Sequence, residues 1–236
     1  MITKSSFLKL SEIPITDKIK VLNPKVSDVL DDENSYYATT SLLTSTPFAL
    51  IVQLDDKGID YENVSEFELF TMIIKGLSQK DLRLIIKGVE PENLQICKNE
   101  ESDEIVLYDK FNDVLIDRFV SDEICRVLRK ICGFKKDTGS AANKAAKKYI
   151  IDRKRRKLKR NALKPQDSVL EKMVISLVNN KDFPYDYDGA LNLSLFQFNS
   201  SVSQIPKLKN YEQVMNGLYA GTVDSKHINL QDINWI

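Results

Sequence analysis

The sequence contains no run of about 20 apolar residues, and its first ten residues include two lysines but no apolar stretch of signal-peptide length. Glycine (8 residues) and proline (7) are sparse in a chain of 236, which argues against a low-complexity protein. Hydrophobic residues make up 42% of the chain and charged residues 29%, a balance typical of globular proteins. We therefore expect a soluble, intracellular protein that is large enough to fold unaided.

Cysteine and histidine are too few to build the common reactive or zinc-binding sites. The three cysteines, Cys97, Cys125 and Cys132, form no CxxC pair and have no histidine nearby, so we interpret them as small buried hydrophobic residues. The single histidine, His227, lies near the C-terminus, and no serine or cysteine sits in a recognisable nucleophile motif. The sequence therefore predicts no catalytic site.

One acidic cluster resembles a metal-binding loop. Asp182, Asp186, Asp188 and Gly189 alternate like the ligands of a calcium loop, but Pro184 interrupts the pattern and the final glutamate is missing. We interpret the cluster as a polar loop in which Asp188 caps the next helix. Glycine-rich phosphate-binding motifs are absent too, so we expect no metal, no cofactor and no enzymatic activity.

The first half of the chain predicts a mixture of short helices and strands. Residues 1–34 are expected to form a variable, partly extended N-terminal segment. Within it, residues 13–15 are predicted to be extended, and a short helix is predicted to begin at Pro24 and to end at 31–33. Thr46-Pro47 predicts the start of a helix of about ten residues that stops before Gly58. Capping boxes begin two further helices, at Ser65 and at Ser78, and the second continues through Ile86 to Gly88.

The pattern then changes from helical to extended. Alternating apolar residues around 94–96, 105–107 and 115–119 predict a small antiparallel meander with an acidic hairpin turn at 99–104. A helix capped by Ser121 and ended by Gly133 closes this part. We expect an α+β N-terminal domain over residues 1–135, in a protein that is mainly helical.

Helices dominate the remainder. A basic helical connector is expected over 136–164, followed by a small helical C-terminal domain over 165–236. That domain is predicted to contain one amphipathic helix from Pro165 to Asn180 and two more near 191–202 and 207–219. An apolar stretch at 228–235 would close it.

The connector is intensely basic in a chain whose formal net charge is zero. Residues 135–164 hold 13 Lys or Arg and two Asp, a balance of +11, so the rest of the chain carries −11. Alanine and long basic side chains favour helix, but after Ile151 only Leu158 remains apolar. The second half of this helix should therefore be solvated or held by a partner.

The basic run leaves three interpretations open. It contacts acidic protein surface, including the acidic remainder of this chain; it contacts nucleic acid; or it is a solubilising linker. Only Tyr149 lies nearby to stack on bases, which disfavours single-stranded nucleic acid. The candidate partner-binding residues of this helix are Arg153, Lys154, Arg155, Arg156, Lys157, Lys159 and Arg160.

Three segments together suggest a family: Ala145 to Lys157, Tyr211 to Gly221, and Asn234-Trp235. With the small helical domain between them, they resemble phage morphogenesis proteins, such as tail-assembly chaperones and related tail or baseplate factors of phages of Gram-positive hosts. The resemblance covers mainly residues 140–236.

This resemblance implies a non-catalytic protein that binds tape-measure, tube or baseplate proteins during assembly. Its expected location is the host cytoplasm, with association with the virion as the alternative. In the C-terminal domain, four residues are predicted to receive a partner helix: Tyr211, Met215, Tyr219 and Trp235. Self-association is a further expectation, and no membrane partner is expected. The alternatives are a nucleic-acid-binding regulator that uses the basic helix and a structural virion subunit.

Overall fold

A computed structural model describes residues 7–98, 104–163 and 167–223. Within those ranges the chain forms ten α-helices, one short 3-10 turn and two small three-stranded antiparallel sheets. The predicted class, α+β and mainly helical, is confirmed.

The first sheet joins the N-terminal segment to a later strand. Strands β1 (Glu12–Pro14), β2 (Lys20–Leu22) and β3 (Ile86–Lys87) lie in that order, and Val21 pairs with Ile86. The extended segment expected around Ile13 is confirmed, but the helical prediction for Ile86 was wrong. A short apolar run fits a helix or a strand equally well, and here pairing with β2 decides between them.

The second sheet is the predicted meander. Strands β4 (Gln95–Lys98), β5 (Ile105–Asp109) and β6 (Val114–Ile116) lie in sequence order, with Leu107 paired to both Ile96 and Ile116. The buried Asp109 carboxylate accepts hydrogen bonds from the backbone N–H groups of Phe111 and Asn112, which fixes the β5–β6 turn. The predicted acidic turn falls on 99–104, of which 99–103 lie outside the described residues.

Five helices lie between β2 and β3 in the chain: α1 (Val26–Leu30), α2 (Glu33–Leu43), α3 (Ile51–Asp56), α4 (Glu66–Ile74) and α5 (Gln79–Leu82). The capping boxes at Ser65 and Ser78 are both present, as predicted. Thr46 Oγ1 accepts from the N–H of Ala49, but regular helix begins only at Ile51, so α3 is shorter than expected. Sequence patterning missed α2, whose buried face includes threonine and tyrosine rather than an aliphatic stripe.

Helix α6 (Arg118–Cys132) buries seven of its residues. The prediction that Ser121 caps it was wrong: Asp117 Oδ1 accepts from the N–H of Val120 at 2.8 Å, while Ser121 is buried and donates to a carbonyl within the helix. Both residues are good N-cap types, and the chain starts its helix at the earlier one. Gly133, at φ 69°, ends the helix in the left-handed conformation, as predicted.

Four helices complete the described chain: α7 (Lys144–Ala162), α8 (Val169–Val178), α9 (Tyr187–Asn192) and α10 (Leu195–Tyr219). The predicted start of α8 at Pro165 lies outside the described residues; Ser168 caps the helix seen here. Asp186, and not Asp188, caps α9 by accepting from the N–H of Gly189 at 2.7 Å. The N-cap of α9 therefore lies two residues earlier than predicted.

The two helices predicted near 191–202 and 207–219 are one helix, α10, with Pro206 inside it. A proline removes one backbone donor and tends to kink a helix, but it need not end one that is held from both sides. Before it, Phe198 is fully buried, and after it Lys209 Nζ donates to Asn180 Oδ1 at 2.9 Å.

The main core is one cluster of buried side chains that runs from Ile13 to Phe198. It includes residues of both sheets and of α6, together with Leu170 and Val174 of α8. The Glu33 carboxylate also links α2 to the start of α8, where it accepts from the N–H groups of Val169 (3.1 Å) and Leu170 (2.9 Å). The division into 1–135, 136–164 and 165–236 stays a prediction, and this core contains residues from its first and last parts.

A second, smaller cluster lies apart from the main core. It consists of Ile51, Val52, Leu54, Tyr61 and Ile151, with Phe48, Ile59 and Ile150 packed against it. We call this cluster the satellite core. It is the surface on which α7 docks.

Candidate binding surface on the basic helix

Helix α7 is divided into a docked part and a solvated part. Asn143 caps it by accepting from the N–H of Ala146 at 2.8 Å, and Ile151, 7% exposed, is its buried residue. Residues 156–163 are all exposed, including Leu158 at 46% and Leu163 at 87%. The expectation that the second half leaves the core is confirmed.

On the docked side, lysines of α7 meet groups that precede and follow α3. Lys147 pairs with Asp60 and, at 3.0 Å, with Glu62. Lys154 Nζ donates to the Phe48 carbonyl at 2.9 Å and lies 4.0 Å from the centroid of the Phe48 ring. These contacts hold α7 along the edge of the satellite core.

Arg155 adds a second ion-pair group, with Asp55 at 2.9 Å and with Asp56 at the end of α3. Its pKa is raised, chiefly by the hydrogen bond to Asp56 and then by that to Asp55. The pKa of the Asp60 carboxyl is lowered, chiefly by the hydrogen bond from Lys147. The folded-state pKa of Asp60 lies below its unfolded-state pKa. Asp60 therefore stabilises the folded protein at pH values above the unfolded-state pKa, and this stabilisation is lost as the pH falls through the folded-state pKa.

The other side of α7 carries cations without an acidic partner. Arg153, Arg156, Lys157 and Arg160 make no ion pair within the described residues; Arg156 donates only to the Asp152 carbonyl, at 3.3 Å. These four side chains, here called the free basic face, line a cleft of about 690 Å³ with Phe48, Ile150 and Lys154. The two apolar residues of the cleft, Phe48 and Ile150, lie at the end near Arg153 and Lys154, and Arg160 lies at the other end.

The structure separates the seven basic residues predicted from the sequence into different environments. Lys154 and Arg155 are used inside the protein, four form the free basic face, and Lys159 is exposed outside the residues that line the cleft. Sequence reasoning missed Phe48 and the acidic residues opposite α7. The only signal for the latter was the acidic remainder of the chain, which did not show which carboxylates face the helix.

The predicted residues of the C-terminal part lie elsewhere. Tyr211 and Met215 are half-buried on α10, and Tyr219 is 82% exposed near its end. Trp235 and His227 lie outside the described residues. The α7 cleft contains none of the three described residues, so the structure does not join the two predicted surfaces into one site.

Other candidate chemistry is limited in the described part of the chain. Cys125 and Cys132 are buried, which confirms their predicted role as small hydrophobic residues, whereas Cys97 is partly exposed. Burial raises the pKa of Cys125 to about 12 and that of Cys132 to about 11. Over the described ranges, no group of acidic, histidine or cysteine residues is arranged to hold a metal ion. No helix there is long and apolar enough to cross a bilayer.

Comparison with known proteins gives one family match. Neither the curated proteins nor the solved structures contain a match to this chain. Residues 163–236, which include α8, α9 and α10, match the family described as the YomV second domain. That family is phage-derived, from a Bacillus prophage, and the match is consistent with a phage protein.

Proposed function

We propose that this protein is a non-catalytic phage morphogenesis factor that binds an acidic part of a tail component through the free basic face of α7. The observation that carries the proposal is the pairing pattern on this helix. Lys147, Lys154 and Arg155 have carboxylate partners within the chain, while the four cations of the free basic face have none among the residues that the structure describes. A cluster of unpaired like charges costs helix stability, and an anionic partner would offset that cost.

The docked side supports a protein partner. There the same helix already binds carboxylates, so an acidic segment of another protein would repeat an interaction that the chain makes with Asp55, Asp60 and Glu62. Complementary charge of this kind speeds association and favours one partner over others. The match of residues 163–236 to a phage-derived domain supports a phage protein. The proposed role in tail assembly follows from the resemblance of residues 140–236 to tail-assembly factors.

The cysteines agree with a binding role. The thiolate is the reactive form of cysteine, and the raised pKa values of Cys125 and Cys132 keep both thiols protonated at neutral pH. They are poor nucleophiles where they lie, which is consistent with a protein whose work is binding.

Co-expression with the tail proteins of the same phage tests the proposal. We expect the wild-type protein to be recovered in a soluble complex with a tail component, and the double variant Arg153→Glu/Arg156→Glu to lose it. A matched control is Arg83→Glu/Lys110→Glu, which makes the same charge change at two exposed residues outside the satellite core. Failure to recover any tail component, or equal recovery with both double variants, would contradict the proposal.

Nucleic acid is the second candidate, favoured by the same row of unpaired cations. A duplex or single strand bound at four such positions should dissociate steeply as salt rises, with a slope set by the number of phosphates contacted. Binding of DNA or RNA at physiological salt that requires Arg153 and Arg156 would favour this alternative over a protein partner.

A further inference from the structure

We infer, on the basis of the proposed function, that the α7 cleft receives one helix of the partner, with an acidic first half and an apolar anchor after it, antiparallel to α7. The inference rests on the spacing of the cations, the polarity of the cleft along its length, and the charges around it.

The spacing selects a helical ligand. Arg153, Arg156, Lys157 and Arg160 are separated by three, one and three residues, which places them on one side of α7. At a rise of about 1.5 Å per residue they span about 10.5 Å of the helix axis. Carboxylates on two to three turns of a facing helix have the same repeat and the same reach.

The polarity of the cleft fixes the direction of that helix. Phe48 and Ile150 lie near the N-terminal end of the free basic face, as shown by the contact of Lys154 with Phe48, and Arg160 lies at the other end. Acidic residues are most stabilising in the first turns of a helix, where they meet the positive end of its dipole. An antiparallel helix puts those first turns beside Arg160 and brings its later, apolar turns to Phe48.

The surroundings of the cleft favour carboxylates over a polynucleotide. Asp137 and Asp152 lie at the Phe48 end, where Asp137 pairs with Lys154 at 3.1 Å. A long phosphate backbone that continued past the cleft in that direction would meet these negative charges.

Two cross-linked helical peptides test the direction and the anchor with the full-length protein. The first has glutamates at four positions of matching spacing in its N-terminal turns, followed by leucine; the second has the same residues with leucine first. Fluorescence anisotropy at about 0.15 M salt should show the acidic-first peptide binding about tenfold more tightly. Exchange of its leucine for serine should weaken binding, and so should Arg156→Glu/Arg160→Glu in the protein, whereas Arg83→Glu/Lys110→Glu should not.

Equal affinity for both peptides, or no effect of the leucine exchange, would overturn the inference, because the cleft would then recognise charge alone. Tighter binding of a 12-nucleotide single strand that displaces the peptide would also overturn it. The two proposals fail separately. If a tail component is recovered in an Arg156-dependent complex but the two peptides bind equally, only this inference is contradicted. If the acidic-first peptide binds more tightly but no tail component is recovered on co-expression, only the proposed assembly role is contradicted.

Discussion

Ile151→Ala should release α7 from the satellite core while the main core stays folded. Ile151 is the buried residue of α7 and one of five buried residues in that cluster. Removing three carbon atoms from a buried isoleucine costs about 2–5 kcal/mol, and a small cluster at the surface belongs at the lower end of that range. The remaining ion pairs of Lys147 and Arg155 lie at the surface, where water and salt screen them, so they cannot compensate for this loss.

Hydrogen exchange followed by mass spectrometry measures this release directly. A local loss of about 2–3 kcal/mol lowers amide protection in α7 by about 30–150-fold, whereas protection in α6 should stay close to that of the wild type. Leu158→Ala is the matched control, because this residue lies on the same helix but is 46% exposed. Unchanged protection of α7 in Ile151→Ala, or equal loss in α6, would refute the reasoning that α7 docks through a separate small core.

Three further predictions concern the body of the protein. Glu33→Ala removes the acceptor for two N–H groups at the start of α8 and should lower the free energy of unfolding by about 1–3 kcal/mol; an unchanged urea midpoint would count against this cap. A thiol reagent at pH 8 should modify only Cys97 in the folded protein, because burial raises the pKa of the Cys125 and Cys132 thiols. In denaturant it should modify all three cysteines. Three fast-reacting thiols in the native state would disprove this prediction. Gly88→Ala should cost at least about 2 kcal/mol, since Gly88 has φ +85° and an added Cβ would lie 2.0 Å from a backbone oxygen of the β1–β2 connection; a wild-type melting temperature would contradict this.

Local capping chemistry made several elements predictable from the sequence. Ser65 with Glu68 and Ser78 with Asp81 carry both halves of a capping box within four residues, and Gly133 supplies a left-handed stop. Signals of this kind involve only neighbouring residues, so a complete capping box or a glycine stop can be recognised from the sequence, whereas a single cap residue such as Ser121 or Asp188 was misassigned.

Elements decided by distant contacts were not predictable in the same way. Ile86 is a strand residue because Val21 lies beside it, 65 positions earlier in the chain. Pro206 lies inside a helix although proline favours a break, and contacts on both sides of it hold that helix together. Tertiary packing overrides local preference at these positions.

The binding surface also combines features that could be predicted from the sequence with features that depend on distant contacts. The basic character of α7 and the exposure of its second half follow from composition and from the missing apolar stripe after Ile151. Which cations are free depends on where Asp55, Asp60 and Phe48 are placed by the fold. Adjacent arginines therefore have different roles: Arg155 is paired with carboxylates, and Arg156 forms no ion pair with any residue that the structure describes.

That contrast gives the most direct test of the central claim, that the free basic face is the partner-binding surface. Arg155→Gln and Arg156→Gln remove the same charge from neighbouring positions of one helix. Measured by titration calorimetry against the recovered tail component, Arg156→Gln should weaken binding by about tenfold and Arg155→Gln by much less. Equal losses, or a larger loss from Arg155→Gln, would contradict the account.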